Sequence, residues 1–394
     1  MKQGWEIKKL GEVCESELGK TLNQSKDKGA LLPYLCSVNV LWDKFDFSTL
    51  KETRFEDSEL ERYSVKKGDL LICEGGDIGR AAIWNYDRVI QYQNALHRVR
   101  LKDSVLSRFL LLYLKHLKDS GELDSRYGKG VTIKHLVKSS LLSIPIPVPP
   151  LPEQEKIVSE LDCLSGLIEK KRQQLKELDA LAQSIFYEMF GNPVENERGW
   201  EVKKLENLFK VTSSKRILQS EWQNEGVPFY KVADIVALAK GCNVKAVTFI
   251  KESTYNDLEI SNLVPKEDDI LITSRGTLGE CYIVKKTDKF YFQDGMITWL
   301  TNKDRNISSV FVKVLFSNAI FLEYMIGVAN SSTVAYLSIK QLSQLKLPLP
   351  PLPLQQTFAQ KVEAIEKQKE LIKQSIIEAE TLLASRMQYY FEEG

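Results

Sequence analysis

Gly4-Trp5-Glu6-Ile7-Lys8-Lys9-Leu10 opens the chain and returns as Gly199-Trp200-Glu201-Val202-Lys203-Lys204-Leu205, displaced by 195 positions. Outward from this pair, Pro33-Tyr34 recurs as Pro228-Phe229 at the same displacement. Gly68-Asp69-Leu70-Leu71-Ile72 aligns with Asp268-Asp269-Ile270-Leu271-Ile272 at 200, as do Gly76-x-x-Gly79 with Gly276-x-x-Gly279 and Gln93-Asn94 with Gln293-Asp294. Pro149-Pro150-Leu151-Pro152 matches Pro350-Pro351-Leu352-Pro353 at 201. Chance matches would scatter; a displacement that drifts slowly and never reverses order is a tandem duplication.

Each copy has a mixed globular part, roughly 1–150 and 197–350. In the first, 69–73 and 81–84 read as strands and 105–117 as a helix, so the repeat predicts strands over 269–273 and 281–284 and a helix over 308–325. Each part closes on a Pro-rich run, 144–152 and 347–353, which cannot be helix interior and stays extended. A long helix follows each time. Between Glu153 and Phe190 there is no Pro and one Gly, and Gly191-Asn192-Pro193 supplies a stop.

Apolar residues in the first helix recur in steps of three and four: Ile157, Leu161, Leu164, Ile168, Leu175, Leu178, Ala182, Ile185 and Met189, with Lys171 intruding. In the second, Phe358, Val362, Ile365, Ile372, Ile376, Ala379, Leu383 and Tyr390 do likewise, with Lys369 and Arg386 intruding. Such a stripe is a coiled-coil face that needs a partner helix. Chain order makes the two helices antiparallel, which brings Lys171 and Lys369 close and asks Glu177, Glu366, Glu370 or solvent to offset them. At ~1.5 Å per residue, such a helix spans roughly 57 Å. The fold class is therefore α+β, with two pseudo-symmetric globular α/β parts separated by two long antiparallel coiled-coil helices. The expected boundaries are 1–150, 151–191, 192–350 and 351–394.

At 394 residues, 43% hydrophobic and 27% charged, the chain can build two or three cored domains and is neither low-complexity nor disordered. The net charge of +1 conceals a division. Residues 1–150 carry +4 and 197–350 carry +3, whereas 151–196 carry −4 and 351–394 carry −2. Two mildly basic modules on an acidic spacer suit a polyanion gripped at two places, although excesses this small are equally compatible with noise. The six cysteines form no CxxC and read as reduced thiols, and the three histidines are too scattered for a zinc site. No apolar run reaches the ~18 residues of a membrane span, and a cytoplasmic location is expected.

Catalytic signatures are missing. There is no Walker A, GxSxG, HExxH or kinase motif. Glu6-Ile7-Lys8 and Glu201-Val202-Lys203 offer an E-x-K without a preceding acidic partner, and read as amphipathic strands. A base methyltransferase would need a glycine-rich cofactor loop and an aromatic Pro-Pro strip, which Pro149-Pro150 does not supply. No catalytic or metal-binding residue is assigned.

Four kinds of segment in each copy could read DNA instead. The loop 19–28 offers Lys20, Thr21, Asn23, Gln24, Lys26 and Lys28, and its counterpart Ser213, Ser214, Lys215 and Arg216, groups that suit phosphates and base edges. The glycine turns offer Gly76, Gly79 and Arg80, and Arg275, Gly276, Thr277 and Gly279. A third set is Gln91, Gln93, Asn94 and Arg98, matched by Gln293 and Asp294. Lys129 in Gly128–Thr132, and Ser331 and Ser332 in 330–333, form the fourth. An ordinary solvated loop, a tight strand connection or polar sheet-edge residues would explain each of them equally well.

The whole arrangement resembles the specificity subunit of type I restriction-modification systems. GWEIKKLGEV and GWEVKKLENL, GDLLICEGGDIG and DDILITSRGTLG, and PPLPEQEKIVSELD and PPLPLQQTFAQKVEAI carry the likeness over essentially the whole chain. The resemblance implies that each globular part is a target recognition domain reading half of a split site in double-stranded DNA. The helices would set the gap and dock two methyltransferase (modification) subunits, which restriction subunits join. It places S-adenosylmethionine in the methyltransferase and ATP and magnesium in the motor nuclease, leaving this chain no cofactor and no catalysis of its own. The second copy departs from the pattern at Leu354-Gln355-Gln356, where the first has Glu153-Gln154-Glu155. The copies differ most in the candidate contact loops, so the half-sites should differ. A coiled-coil dimeriser with protein-binding heads, and an enzyme or RNA binder using the glycine turns as KH domains do, remain as alternatives.

Overall fold

The computed structural model describes residues 4–23, 27–132, 134–303, 306–329 and 336–392. The chain divides into two compact units, residues 1–171 with 374–394, and residues 172–373. In each, an amphipathic opening strand (Glu6–Lys9, Glu201–Lys204) pairs antiparallel with the proline-bearing closing strand (Pro145–Val148, Lys346–Leu349). Prolines fit there because a two-stranded ribbon leaves edges that need no donor. Lys8 pairs with Glu6 at 2.7 Å and Lys203 with Glu201 at 3.4 Å, so the two E-x-K motifs are surface ion pairs along a strand.

The first unit's main sheet runs Cys14–Leu18, Leu96–Leu101, Leu70–Cys73, Ala81–Ile83. The second unit repeats that order with Phe209–Thr212, Ile297–Asn302, Ile270–Thr273 and Cys281–Ile283. Leu70 and Ile72 pack on Phe109 and Leu110 of the helix Ser107–Asp119, whereas Leu71 and Cys73 pack on Tyr92 and Leu35 of a second sheet. Cover on both faces explains why 70–73 is apolar throughout instead of alternating. The second sheet holds a parallel pair in both units, Tyr34-Leu35 beside Gln91-Tyr92 and Phe229-Tyr230 beside Tyr291-Phe292. The units diverge where the first covers Leu71 and Trp84 with a hairpin carrying Val40 and Phe45 and the second covers Leu271 and Tyr282 with the helix Val232–Ala239.

The expected helix over 308–325 is two helices, Ser309–Ser317 and Ala319–Ala329, bent by 79°. Buried Asn318 causes the break. Its Oδ1 accepts the amides of Ile320 and Phe321 at 3.1 and 3.2 Å, capping the second helix. Among the described residues no single helix is long and apolar enough to cross a membrane.

The long helices run Leu151–Phe190 and Leu352–Phe391, 40 residues each. They begin inside the Pro-rich runs that were expected to stay extended, because Pro152 and Pro353 occupy the first turn, where no intrahelical N–H bond is lost. In the first unit Ile157 and Leu161 pack with Leu383, Met387 and Tyr390, while Arg386 donates to Glu160 at 3.1 Å and the Tyr390 hydroxyl donates to the same carboxylate at 2.6 Å. In the second unit Lys369 pairs with Asp179 at 2.7 Å and Glu366 at 2.8 Å, and Phe186 meets Phe358. Numbers rise along one helix as they fall along the other, so the pairing within this unit is antiparallel. Two of the intruding cations are thus neutralised, Arg386 by Glu160, and Lys369 by expected Glu366 and unexpected Asp179. Glu177 instead accepts from Gln173.

Of the expected seam, Ile157, Leu161, Ile168, Val362, Ile365 and Ile376 are buried, whereas Leu164, Leu175, Leu178, Ile185, Ile372 and Leu383 are half-buried. The periodic stripe missed the strongest anchors, fully buried Phe186 and Phe190, which pack on Phe311 and Phe358. There the helix Ser309–Ser317 adds a third element, so the apolar face widens beyond a two-helix stripe.

Candidate nucleic-acid interface

In the first unit the four candidate segments converge. The Lys20 amide donates to the Tyr92 carbonyl at 3.0 Å and the Asn94 amide to the Lys20 carbonyl at 3.1 Å, joining loop to amide strand. Gly19 permits this, because a Cβ there would lie 2.4 Å from the Gln93 carbonyl. The Glu74 amide donates to Ala95 at 2.9 Å, and the Glu74 carbonyl accepts from Leu136 at 2.7 Å. The glycine turn therefore lies between the amide strand and the 128–136 loop, whose Lys129 and His135 exchange backbone bonds of 2.9 and 2.8 Å. At the tip of that loop Lys129, Gly130, Val131 and Thr132 are exposed.

The second unit repeats the scheme. Ser274 donates its amide to Met296 at 2.9 Å and accepts from Leu337 at 3.0 Å, each 200 or 201 positions after its counterpart. Arg275 bridges Tyr336 as Gly75 bridges His135. The Ser214 hydroxyl donates to the Phe292 carbonyl at 2.8 Å, and the Ser213 hydroxyl donates to Ile297 at 3.2 Å and accepts from Gly295 at 3.1 Å, holding loop to strand. Two sequences with different side chains thus build one backbone scaffold.

Many expected contact side chains are instead committed within the protein. Lys20 is buried, donates to Glu59 at 2.6 Å and to the Arg54 carbonyl at 2.8 Å, and lies 3.4 Å from Asp27. Arg98 donates to the Arg62 and Ser64 carbonyls at 2.8 and 2.6 Å. Arg80 donates to the Ser37 carbonyl at 2.8 Å and lies 3.8 Å from Asp77. Gln91 is buried, with its amide turned to the Leu60 carbonyl. Gly79 takes φ +78° with Leu123 where a Cβ would stand, and Gly279 likewise abuts Met325, so these glycines serve packing. Gly76 and Gly276 also have positive φ but face open space. The internal bonds of Lys20, Arg98, Arg80 and Gln91 share one cause: a cation or amide at the root of a loop is within reach of carbonyls that burial would leave unpaired.

Exposed candidates remain. Thr21, Asn23, Lys28 and Lys129 are exposed in the first unit, as are Lys215, Arg216, Arg275, Gly276 and Thr277 in the second. Asn94 donates to Thr21 at 3.3 Å, and Arg216 pairs with Asp294 at 2.9 Å while its side chain stays 73% exposed. Gln93 and Gln293 are half-buried at the seam of the segments. Lys26, Ser331 and Ser332 lie outside the described residues, as does Gln24. Beneath the first unit's loops His97 is fully buried, its Nε2 2.7 Å from the Leu136 carbonyl. Burial pushes its pKa down to about 4, against the favourable carbonyl contact and helped by Lys138, so the ring is neutral and donates from Nε2. Glu74 and His135 were missed, though the aligned pair Glu74/Ser274 beside the glycine turns marked a position where the copies differ. Among the described residues no group of three or more His, Cys, Asp or Glu is placed to hold a metal ion.

The family model for the type I restriction modification DNA specificity domain matches residues 2–180 and again 197–381, one match for each repeat. The chain belongs to this family. The type I restriction enzyme MjaIX specificity subunit of Methanocaldococcus jannaschii is 25% identical over 90% of this chain and 85% of its own. A putative type I restriction enzyme specificity subunit of Haemophilus influenzae is 27% identical over 84% of each. Among solved structures, a chain from a study of assembly and conformational transition in a type I R-M system is 18% identical, with a TM-score of 0.61 over 99% of this chain and 98% of its own. The type I R-M S subunit from M. genitalium is 17% identical, with a TM-score of 0.53 over 98% and 95%. As a member of this family the chain confers DNA sequence specificity within a type I restriction-modification system, and specificity subunits of such systems are not catalytic by themselves.

Proposed function

We propose that this specificity subunit reads a bipartite target in double-stranded DNA, with each repeat acting as a target recognition domain for one half-site. The observation that carries the reading is the convergence of equivalent segments in both units on one backbone scheme with unlike exposed side chains. Exposed Lys28, Lys129, Lys215, Arg216 and Arg275 suit phosphate oxygens and guanine edges, and polar Thr21, Asn23, Gln93, Asn94 and Gln293 suit base edges. Each long helix has 40 unbroken residues, about 60 Å at ~1.5 Å per residue. A coiled-coil pair of that length is stiff enough to fix the gap between half-sites, since groove positions on one duplex face recur every ~34 Å. The helices would also dock two methyltransferase subunits, which restriction subunits join. S-adenosylmethionine would be bound by the methyltransferase and ATP with magnesium by the restriction subunit, in the cytoplasm.

The test is to supply the chain with its methyltransferase and map the modified bases. Two unlike half-sites at one fixed gap are the expected result. Modification of a continuous site, or of no defined site, would overturn the reading.

A further inference from the structure

Glu74 stands where three segments of the first unit meet. Its amide is held by Ala95 and its carbonyl by Leu136, so the backbone that carries the side chain is fixed on both sides. The His135 ring packs over the adjoining Gly75, 3.2 Å from where a Cβ would stand. The side chain is half-buried, and among the described residues its carboxylate has no hydrogen bond or ion pair. Asp77, the other acid of this turn, is held by Lys118 at 2.8 Å. Burial raises the Glu74 pKa, with His135 opposing the shift.

The scaffold itself does not require a carboxylate at this position. The second unit builds the same backbone bonds around Ser274, whose hydroxyl is 2.6 Å from Thr298, and presents exposed Arg275 beside it. Nor does general attraction for a polyanion explain Glu74, because a carboxylate repels phosphate. The half-buried carboxylate meets water in the free chain, so a docked duplex that displaces this water leaves it costly unless the duplex brings a donor. In the major groove, the donors that a duplex offers are the cytosine N4 and adenine N6 amino groups.

We infer that Glu74 is a specificity-determining residue of the first half-site, accepting a hydrogen bond from a base amino group and selecting against bases that present only acceptors there. The inference rests on the half-site reading. Its negative charge also works against wrong partners, since an acceptor facing guanine O6 or thymine O4 is repelled. Two base changes could follow from its removal: a relaxed position, or a shifted one where a replacement supplies its own donor.

The experiment maps modified sites for the chain with its methyltransferase, comparing wild type, Glu74→Ala and Glu74→Gln. The wild type is expected to require an amino-bearing base at one position of one half-site. Glu74→Ala should lose roughly tenfold or more of that discrimination at that position alone, and Glu74→Gln, nearly isosteric and able to donate, should relax or shift it. The second half-site serves as the internal control for a folded, active complex. A wild-type bipartite site left unchanged in both variants overturns the inference and spares the half-site reading. A wild-type complex that marks no bipartite site overturns both.

Discussion

Gln154 accepts the Leu106 amide at 2.9 Å, and Gln355 accepts the Ser308 amide at the same distance. Each glutamine also donates from its amide nitrogen. Gln154 reaches the Ser104 and Pro149 carbonyls at 2.9 and 2.8 Å, and Gln355 reaches Asn306 and Pro350 at 3.5 and 2.7 Å. Both side chains are fully buried. One carboxamide therefore ties the start of a long helix to the Pro-rich closing run and to the start of the shorter core helix. The departure at Leu354 and Gln356 leaves this tie intact, because the residue aligned with Gln154 is Gln355.

Gln154→Ala would leave a buried amide and two carbonyls unpaired, at ~1–3 kcal/mol for each group that water cannot reach. We expect about 2–4 kcal/mol loss from the first unit, seen as a lower urea midpoint, and a similar loss from the second for Gln355→Ala. Gln154→Glu should be at least as damaging, since an ionised carboxylate can accept from Leu106 but cannot donate. A variant that unfolds like wild type would show that the tie carries no stability.

The PPLP signature and the step of three and four located both long helices to within three residues, because chain-wide periodicity and proline act locally. The role of Gln154 was hidden, since its three partners lie 5 to 50 positions away and no local rule selects them. The same holds for Lys20, whose basic, polar loop reads as solvated, yet folding delivers Glu59 and Asp27 to it. Asn318 was visible as a residue but not as a break, because the apolar periodicity runs through it. Convergence of the four loop segments was not legible either; only paired strands bring them together.

Salt dependence separates DNA-facing cations from structural ones. Each phosphate that no longer meets a cation should lower the slope of log affinity against log salt by about 0.9. Arg275→Ala, exposed and without an ion pair among the described residues, should weaken DNA binding and lower that slope. Lys20→Met should leave the slope unchanged but destabilise the first unit by about 3 kcal/mol, stranding the Glu59 and Asp27 carboxylates. Arg80→Ala should likewise leave the slope unchanged and destabilise more mildly, by about 1 kcal/mol, because the Ser37 carbonyl keeps the Val40 amide and Asp77 keeps Lys118. Equal slopes for wild type and Arg275→Ala would remove that turn from the interface.

Buried His97 predicts how stability responds to acid. Its folded pKa is about 4 against an ordinary 6.5, lowered chiefly by burial and further by Lys138, with the Leu136 carbonyl opposing. The unfolded chain therefore binds the proton more readily between these values, and stability falls as pH drops through that window. The contribution is fully present above about pH 6.5, is lost progressively toward pH 4, and totals about 3 kcal/mol on the scale of 1.36 kcal/mol per unit. His97→Gln keeps a donor for the Leu136 carbonyl but cannot titrate. Urea unfolding of wild type at pH 7 and pH 5 should show a loss that the variant largely lacks, and parallel losses in both would assign the acid sensitivity to other groups.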